Sequence, residues 1–273
     1  MGREILRRVE KDIEYLIKEA KKIVFFLDYD GTLTPIRREP DLARIDTDTK
    51  NLLIELARSG WCKIFVISGR SLENIAHIVN ISSLYYIGNH GIELKGPGLN
   101  YVNRQARDLK PYIQKCYKAL NKRFAPPAAE GIKGVIVENK TYTLSIHYRL
   151  AKPEKIPVIK RAYRDAIKDF LKKKKIRVTE GKKVFEIRPN IRWDKGKIVD
   201  WVIRKVKTKN ILPICIGDDK TDEDVFRALG RKGISILVSD VRRKTSAQYR
   251  LSSTGEVKKF LEFVLTLRRR QSL

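Results

Sequence analysis

Apolar residues along this chain follow two periods, and the switches between them mark out its elements. Over the first 22 residues, Ile5, Leu6, Val9, Ile13, Leu16 and Ile17 recur every three or four positions and predict an amphipathic helix. The unbroken apolar run 23–27 predicts a buried strand, and 63–67 (KIFVI) a second. Between them, 47–59 predicts a helix capped by Asp46 or Thr47, with Leu52, Leu53 and Leu56 on its inner face. A helix over about 71–79 and a short strand at 85–87 follow. Far downstream the same rhythm resumes: a helix over 195–206, a strand over 211–216, a helix over 222–229, a strand over 234–238 and a helix over 255–269. Strands separated by helices predict a parallel sheet with helices covering it, an α/β core.

The middle of the chain has a different order. A helix over 105–124 is followed by strands at 134–138 and 142–149, joined by Asn139-Lys140-Thr141. A helix over 156–174 is followed by strands at 175–179 and 183–188, joined through Glu180-Gly181-Lys182. This α-β-β-α-β-β block is an open-faced α+β unit. Residues 1–104 and 190–273 are therefore expected to build the core, and 105–189 a separate inserted domain.

Charge sharpens this division. The 273 residues carry a formal +27, and residues 105–189 hold 23 Lys and Arg against 8 Asp and Glu, so the inserted block is disproportionately basic. Such a balance suits nucleic acid, an anionic small substrate or a solvated lysine surface. No recognised nucleic-acid motif accompanies it, and the Lys172–Lys175 run closes a predicted helix, where cations suit the dipole. Nucleic acid is not expected as a partner. No apolar run approaches the roughly 18 residues needed to cross a bilayer, and the first 22 lack the apolar centre of a secretory signal. A cytoplasmic protein with no membrane partner is the expectation. Cys62, Cys116 and Cys215 stand far apart, none in a CxxC pair, which predicts buried thiols.

Four polar segments sit beside the predicted elements of the core. They are Asp28-Tyr29-Asp30-Gly31-Thr32, Ser68-Gly69-Arg70, Lys195 in RWDKGK, and Asp218-Asp219-Lys220-Thr221-Asp222. Taken singly each has a plain explanation: a turn, a helix cap, a solvated lysine, another cap. Three of the four follow apolar strands, and ligands of open α/β sheets bind beyond the carboxyl ends of strands. Residues two apart on a strand share a side, so Asp28 and Asp30 can face one site. Adding Asp218 gathers negative charge that calls for a cation, and carboxylate oxygens suit Mg²⁺, which often bridges to phosphate. Asp28 is then a candidate nucleophile and Asp30 a candidate general acid and base. Lys195, Ser68 and the backbone N–H groups near Tyr29 and Gly69 would hold phosphoryl oxygens.

D-x-D-G-T-L, S-G-R, the D-K-G lysine and G-D-D-x-T-D, in that order, resemble the haloacid dehalogenase superfamily of aspartate phosphotransferases. The finer wording resembles its trehalose-6-phosphate phosphatase branch: FLDYDGTLTPI, ISGR, GNHGIEL, SIHYR, FEIRP, WDKGKIV, GDDKTDEDVF and AQYRL, spanning Phe26 to Leu251. The resemblance implies a Rossmann-like parallel-sheet core with an inserted α+β cap domain that sets substrate specificity, and dependence on Mg²⁺. It implies Asp28 as nucleophile, Asp30 as acid and base, and Ser68, Gly69 and Lys195 on the phosphate. Magnesium would be held by Asp28, the backbone carbonyl of Asp30 and Asp218, with Asp219 or Asp222 nearby. The substrate-binding set would include Arg70, Asn89, His90, Glu138, Lys140, Arg149, Glu186 and Lys182, the last in a register that Lys183 could share. His147 is expected to pack or hydrogen-bond within the inserted domain.

The implied activity is Mg²⁺-dependent hydrolysis of trehalose 6-phosphate to trehalose and phosphate through an aspartyl-phosphate. A phosphatase of another sugar phosphate, of the sucrose-6-phosphate or mannosyl-3-phosphoglycerate type, is the alternative within the chemistry. A non-catalytic basic binding module is the alternative outside it. The implied partners are a small sugar phosphate and a trehalose-6-phosphate synthase, and a monomer is expected.

Overall fold

The computed structural model describes residues 2–37, 42–124, 132–181, 183–206 and 208–271. They divide into two compact units, one of Met1–Tyr101 with Trp193–Leu273 and the other of Val102–Arg192.

The first unit begins with α1 (Gly2–Glu19), β1 (Lys22–Asp28), α2 (Thr47–Arg58), β2 (Cys62–Ile67), α3 (Leu72–Val79) and β3 (Tyr85–Gly88). A hairpin of β4 (Glu93–Gly96) and β5 (Leu99–Val102) follows. The second unit contains α4 (Arg104–Phe124), β6 (Ile136–Asn139), β7 (Leu144–His147), α5 (Ile156–Lys172), β8 (Ile176–Gly181) and β9 (Val184–Pro189). The first unit then continues with α6 (Lys195–Lys205), β10 (Ile211–Gly217), α7 (Asp222–Leu229), β11 (Ile234–Val238), β12 (Tyr249–Leu251) and α8 (Thr254–Arg270).

One sheet organises the first unit, in the order β12-β11-β10-β1-β2-β3-β4-β5. It is parallel from β12 to β3 and turns antiparallel at β4. The expected parallel sheet thus carries an antiparallel edge. Strand β1 lies between β2, which follows it in sequence, and β10, which comes much later, so the strand order reverses there. That reversal is where open α/β sheets place ligands.

Alternation along β1 divides the core. Ile23, Phe25 and Leu27 face one layer, with Ile13 and Ile17 of α1, Leu53 and Leu56 of α2, Ile75 of α3 and Phe260 of α8. Val24 and Phe26 face the other, with Ile198, Val199 and Val202 of α6 and Val225 and Phe226 of α7. Fully burying one such side chain contributes roughly 1.5–3 kcal/mol. On the second face Phe26, Phe65 and Tyr85 stack across three neighbouring strands, with ring centroids 5.2 and 4.4 Å apart.

Helix starts are fixed by side-chain oxygens that accept otherwise unmet backbone N–H groups: Asp46 for α2, Ser71 for α3, Asp194 for α6 and Ser253 for α8. The amphipathic N-terminal helix belongs to the core. Val9, Ile13 and Ile17 are buried in it, and Arg268 of α8 donates to the carbonyls of Ile17, Lys18 and Ala20 while lying 5.2 Å from the Trp61 ring centroid.

The second unit has an antiparallel sheet, β6-β7-β9-β8. Its alternation sends Leu144, Ile146, Phe185 and Ile187 into a core with Ile113, Cys116 and Leu120 of α4 and Ile159, Tyr163 and Ile167 of α5. The residues between them, Ser145, His147, Glu186 and Arg188, fall on the opposite face, and Glu138 pairs in register with Ser145.

Strands β4, β5 and β12 are additions to the sequence reading. They are three or four residues long, and their sequences ELKG, LNYV and YRL mix polar with apolar residues and lack the unbroken apolar run that marks β3. Cys62, Cys116 and Cys215 are free and buried. Among the described residues, no helix is long and apolar enough to cross a membrane.

Candidate active site

β1 ends at Asp28, beside Ile67 at the end of β2, and Leu27 pairs with Ile216 near the end of β10. Three of the four polar segments are thereby delivered to one edge of the sheet. The parity of β1 places Asp28 on the side covered by α6 and α7, and both helices begin there: Lys195 opens α6 and Asp222 opens α7.

Lys195 is 2% exposed, and its Nζ donates to Asp28 Oδ1 at 2.7 Å and to Asp222 Oδ1 at 2.9 Å. Oxygens of Asp28, Asp218 and Asp222 all lie within 4.8 Å of one another. Two glycines allow this. A Cβ on Gly31, which has φ +93°, would stand 2.3 Å from Asp218 Oδ2, and one on Gly217 would stand 2.2 Å from Asp222 Cγ. The Asp30-Gly31 pair is therefore more than a turn: the missing side chain is the space that Asp218 occupies.

Burial pushes Asp28 well above the usual carboxylate range; Lys195 pulls it down, and Asp222, Asp218 and Asp219 add to the rise. Burial with Asp222 and Asp219 beside it raises Asp218 to about 7. Burial raises Asp222 to about 6 against the pull of Lys195. Burial alone would lower Lys195, but Asp222 and Asp28 outweigh it and hold its ammonium charged. One cation thus serves three crowded carboxyls. Three hard oxygen donors with charge to spare are what a small divalent cation such as Mg²⁺ requires, so these residues fit one.

Asp219 is turned to another task. Its Oδ1 accepts from Thr221 N and Oγ1, both at 2.7 Å, and from Asp222 N at 3.2 Å, shaping the entry to α7. Burial would raise its pKa, but Lys195 and the bonds from Thr221 and Asp222 take it down to about 2. Asp222 Oδ2 in turn accepts the backbone N–H groups of Asp218 and Asp219, both at 3.1 Å.

Asp30 engages a different cation from Asp28. Arg70 donates to it twice, Nε to Oδ2 at 2.8 Å and NH2 to Oδ1 at 2.6 Å. Ser68 is buried at the end of β2; its Oγ accepts from Arg70 N at 3.1 Å and its carbonyl from His90 N at 3.0 Å. Gly69 lies against the imidazole, since a Cβ there would stand 2.5 Å from His90 Nε2. Asn89 is buried and donates to Glu93 Oε2 at 2.5 Å.

On the polar sheet face of the second unit, Glu138 Oε2 meets His147 Nε2 at 2.9 Å. Lys140 Nζ lies 3.8 Å from Glu138 and 3.9 Å from Glu186. Arg188 donates to Glu186 from both Nε and NH2. Arg149 is exposed just past β7, and Lys182 lies outside the described residues. The sequence reading missed Arg188 and Glu93 as partners. The period of two in FEIRP, which aligns Arg188 with Glu186, was the available signal for the first; for the second it was the place of Glu93 within GNHGIEL, four residues after Asn89.

Residues 26–255 match the family model described as trehalose-phosphatase. Trehalose-phosphate phosphatase B of Arabidopsis thaliana is 34% identical over 266 residues, covering 92% of this chain and 68% of that protein. A crystal structure of a trehalose-6-phosphate phosphatase related protein superposes with a TM-score of 0.76 at 23% identity, covering 91% of this chain and 99% of that one. The C-terminal domain of Candida albicans trehalose-6-phosphate phosphatase gives 0.75 at 24%, covering 94% and 97%. At those identities the two structures speak for the fold. The family match, spanning most of the chain and every polar segment of the first unit, is decisive: the chain belongs to the trehalose-phosphatase family.

Proposed function

We propose that this chain hydrolyses trehalose 6-phosphate to trehalose and inorganic phosphate through a phosphorylated Asp28. The observation that carries the reading is the cluster of Asp28, Asp218 and Asp222 around Lys195, at the reversal point of the sheet, with Asp28, Asp222 and Lys195 buried and Asp218 half-buried. A carboxylate oxygen of Asp28 attacks phosphorus, the bond from phosphorus to the sugar oxygen breaks, and Asp30 gives its proton to that oxygen. Asp30 then takes a proton from the water that attacks the acyl phosphate. The bond from phosphorus to Asp28 breaks, phosphate leaves, and both side chains return to their starting forms. Lys195 and Ser68 hold the phosphoryl oxygens as charge develops on them. Asp28, Asp218 and Asp222 are the residues that would hold Mg²⁺; when bound it neutralises the carboxyls and the phosphoryl charge.

The polar sheet face of the second unit supplies the groups that read the sugar. Glu138 and Glu186 accept from hydroxyls, and Lys140 and Arg149 donate. His147 and Arg188 hold the two carboxylates in place.

Phosphate release from trehalose 6-phosphate, sucrose 6-phosphate and glucose 6-phosphate, with and without Mg²⁺, tests the reading. The expected result is Mg²⁺-dependent turnover favouring trehalose 6-phosphate, lost by a factor of about 10⁴ or more in a folded Asp28→Asn variant. A preference for another sugar phosphate would change the substrate. Near-normal turnover by the variant would remove Asp28 as nucleophile.

A further inference from the structure

The pairing of Arg70 with Asp30 is more than substrate recognition requires. Both carboxylate oxygens accept a guanidinium N–H, at 2.6 and 2.8 Å. The guanidinium is itself held: NH1 donates to Asn74 Oδ1 of α3 at 3.1 Å, the group lies 5.5 Å from the Tyr29 ring centroid, and the Arg70 backbone N–H bonds Ser68. Tyr29 is buried and anchored through its hydroxyl to Ala43 O at 2.6 Å. The Arg70 side chain is 10% exposed and that of Asp30 38%. The arginine is the fixed half of the pair and the aspartate the half with room to turn.

A carboxyl that gives a proton to a leaving sugar oxygen has to turn the oxygen carrying that proton toward the sugar. While both guanidinium bonds stand, the Asp30 carboxyl is fixed in the plane of the fork and cannot turn. We infer that Arg70 is the positioning residue for Asp30: in each turnover one of the two bonds opens and the other remains as a pivot, aiming the released oxygen. This rests on the phosphatase reading above. A planar guanidinium can give up one bond and keep the other; a lysine ammonium is a single point of attachment without that fork.

The test compares wild type, Arg70→Gln, Arg70→Lys, Asp30→Asn and the double variant Asp30→Asn/Arg70→Gln. Two readouts are used: steady-state hydrolysis of trehalose 6-phosphate, and the pre-steady-state burst of nitrophenolate from p-nitrophenyl phosphate. Nitrophenolate departs without a proton, so its burst does not need the acid. Arg70→Gln is expected to lower kcat on the sugar phosphate by about 10²-fold, with a smaller change in KM and a burst rate within a few-fold of wild type. Arg70→Lys should fall between. In the Asp30→Asn background, Arg70→Gln should cost nothing further, because a residue acting through another has no effect once that other is gone.

A raised KM with kcat intact would make Arg70 a substrate ligand and overturn the inference. So would additive losses in the double variant, or equal losses on both readouts with a lowered Tm, the mark of a structural role. Wild type that leaves trehalose 6-phosphate untouched but gives a nitrophenolate burst would overturn the substrate reading alone, and the double-variant comparison would then be made on the sugar phosphate that is turned over.

Discussion

Asp218 ties the chemistry of the cluster to the stability of the fold. Its pKa rises from 3.8 to about 7, through burial and the neighbouring Asp222 and Asp219. The folded chain therefore holds this proton more tightly than the unfolded chain. The stabilisation is fully present below about pH 4 and is lost as pH rises through about 7. An Asp218→Asn variant carries no such loss. In EDTA, wild type should lose stability relative to the variant between pH 4 and 7, read as the difference in Tm. Mg²⁺ at pH 8 should raise the Tm of wild type more than that of the variant; equal gains would place the cation elsewhere. Lys195 makes the complementary case. A Lys195→Met substitution leaves Asp28 and Asp222 buried without their cation, which should cost about 3–5 kcal/mol in urea unfolding at pH 8. The cost should shrink as pH falls and the two carboxyls take up protons. At this scale the sequence was informative wherever a polar residue followed an apolar run, as with Asp28, Ser68 and Asp218. It was silent on pairing across the fold: that Asp30 would meet Arg70 depends on a neighbouring chain segment that no local pattern encodes.

Elements bring these residues together through their ends. The loops after β1 and β10 approach so closely that only glycine fits at position 31. Gly31→Ala should cost about 1–3 kcal/mol for a side chain held at positive φ and displace Asp218 as well. The expected readout is weaker Mg²⁺ binding by calorimetry than in wild type; unchanged affinity would show that the loop has slack. Long elements were legible because burial on one face repeats itself: α7 and β11 have the bounds their periodicity predicts. Strands β4, β5 and β12 were not, because three or four residues of mixed polarity make pairing bonds without forming a pattern. The amphipathic face of α1 was visible in sequence, but its partner was not. That partner includes α8, more than two hundred residues away.

For the molecule as a whole, a formal charge of +27 favours the approach of a dianionic substrate. Raising salt from about 20 mM to about 0.5 M shortens the screening length several-fold. It should lower kcat/KM for trehalose 6-phosphate several-fold while leaving kcat near its low-salt value; a loss confined to kcat would point to the catalytic cluster instead. The three thiols carry a different consequence. Cys62 and Cys215 are sealed within the first unit and Cys116 within the second, and burial raises all three pKa values, that of Cys116 to about 12. Native protein should be inert to alkylating reagents, because the reactive thiolate is both suppressed and unreachable. Labelling in mild denaturant, resolved by peptide mass, then becomes a clock with two hands: one sulfur timing the breathing of the smaller body, two timing the larger.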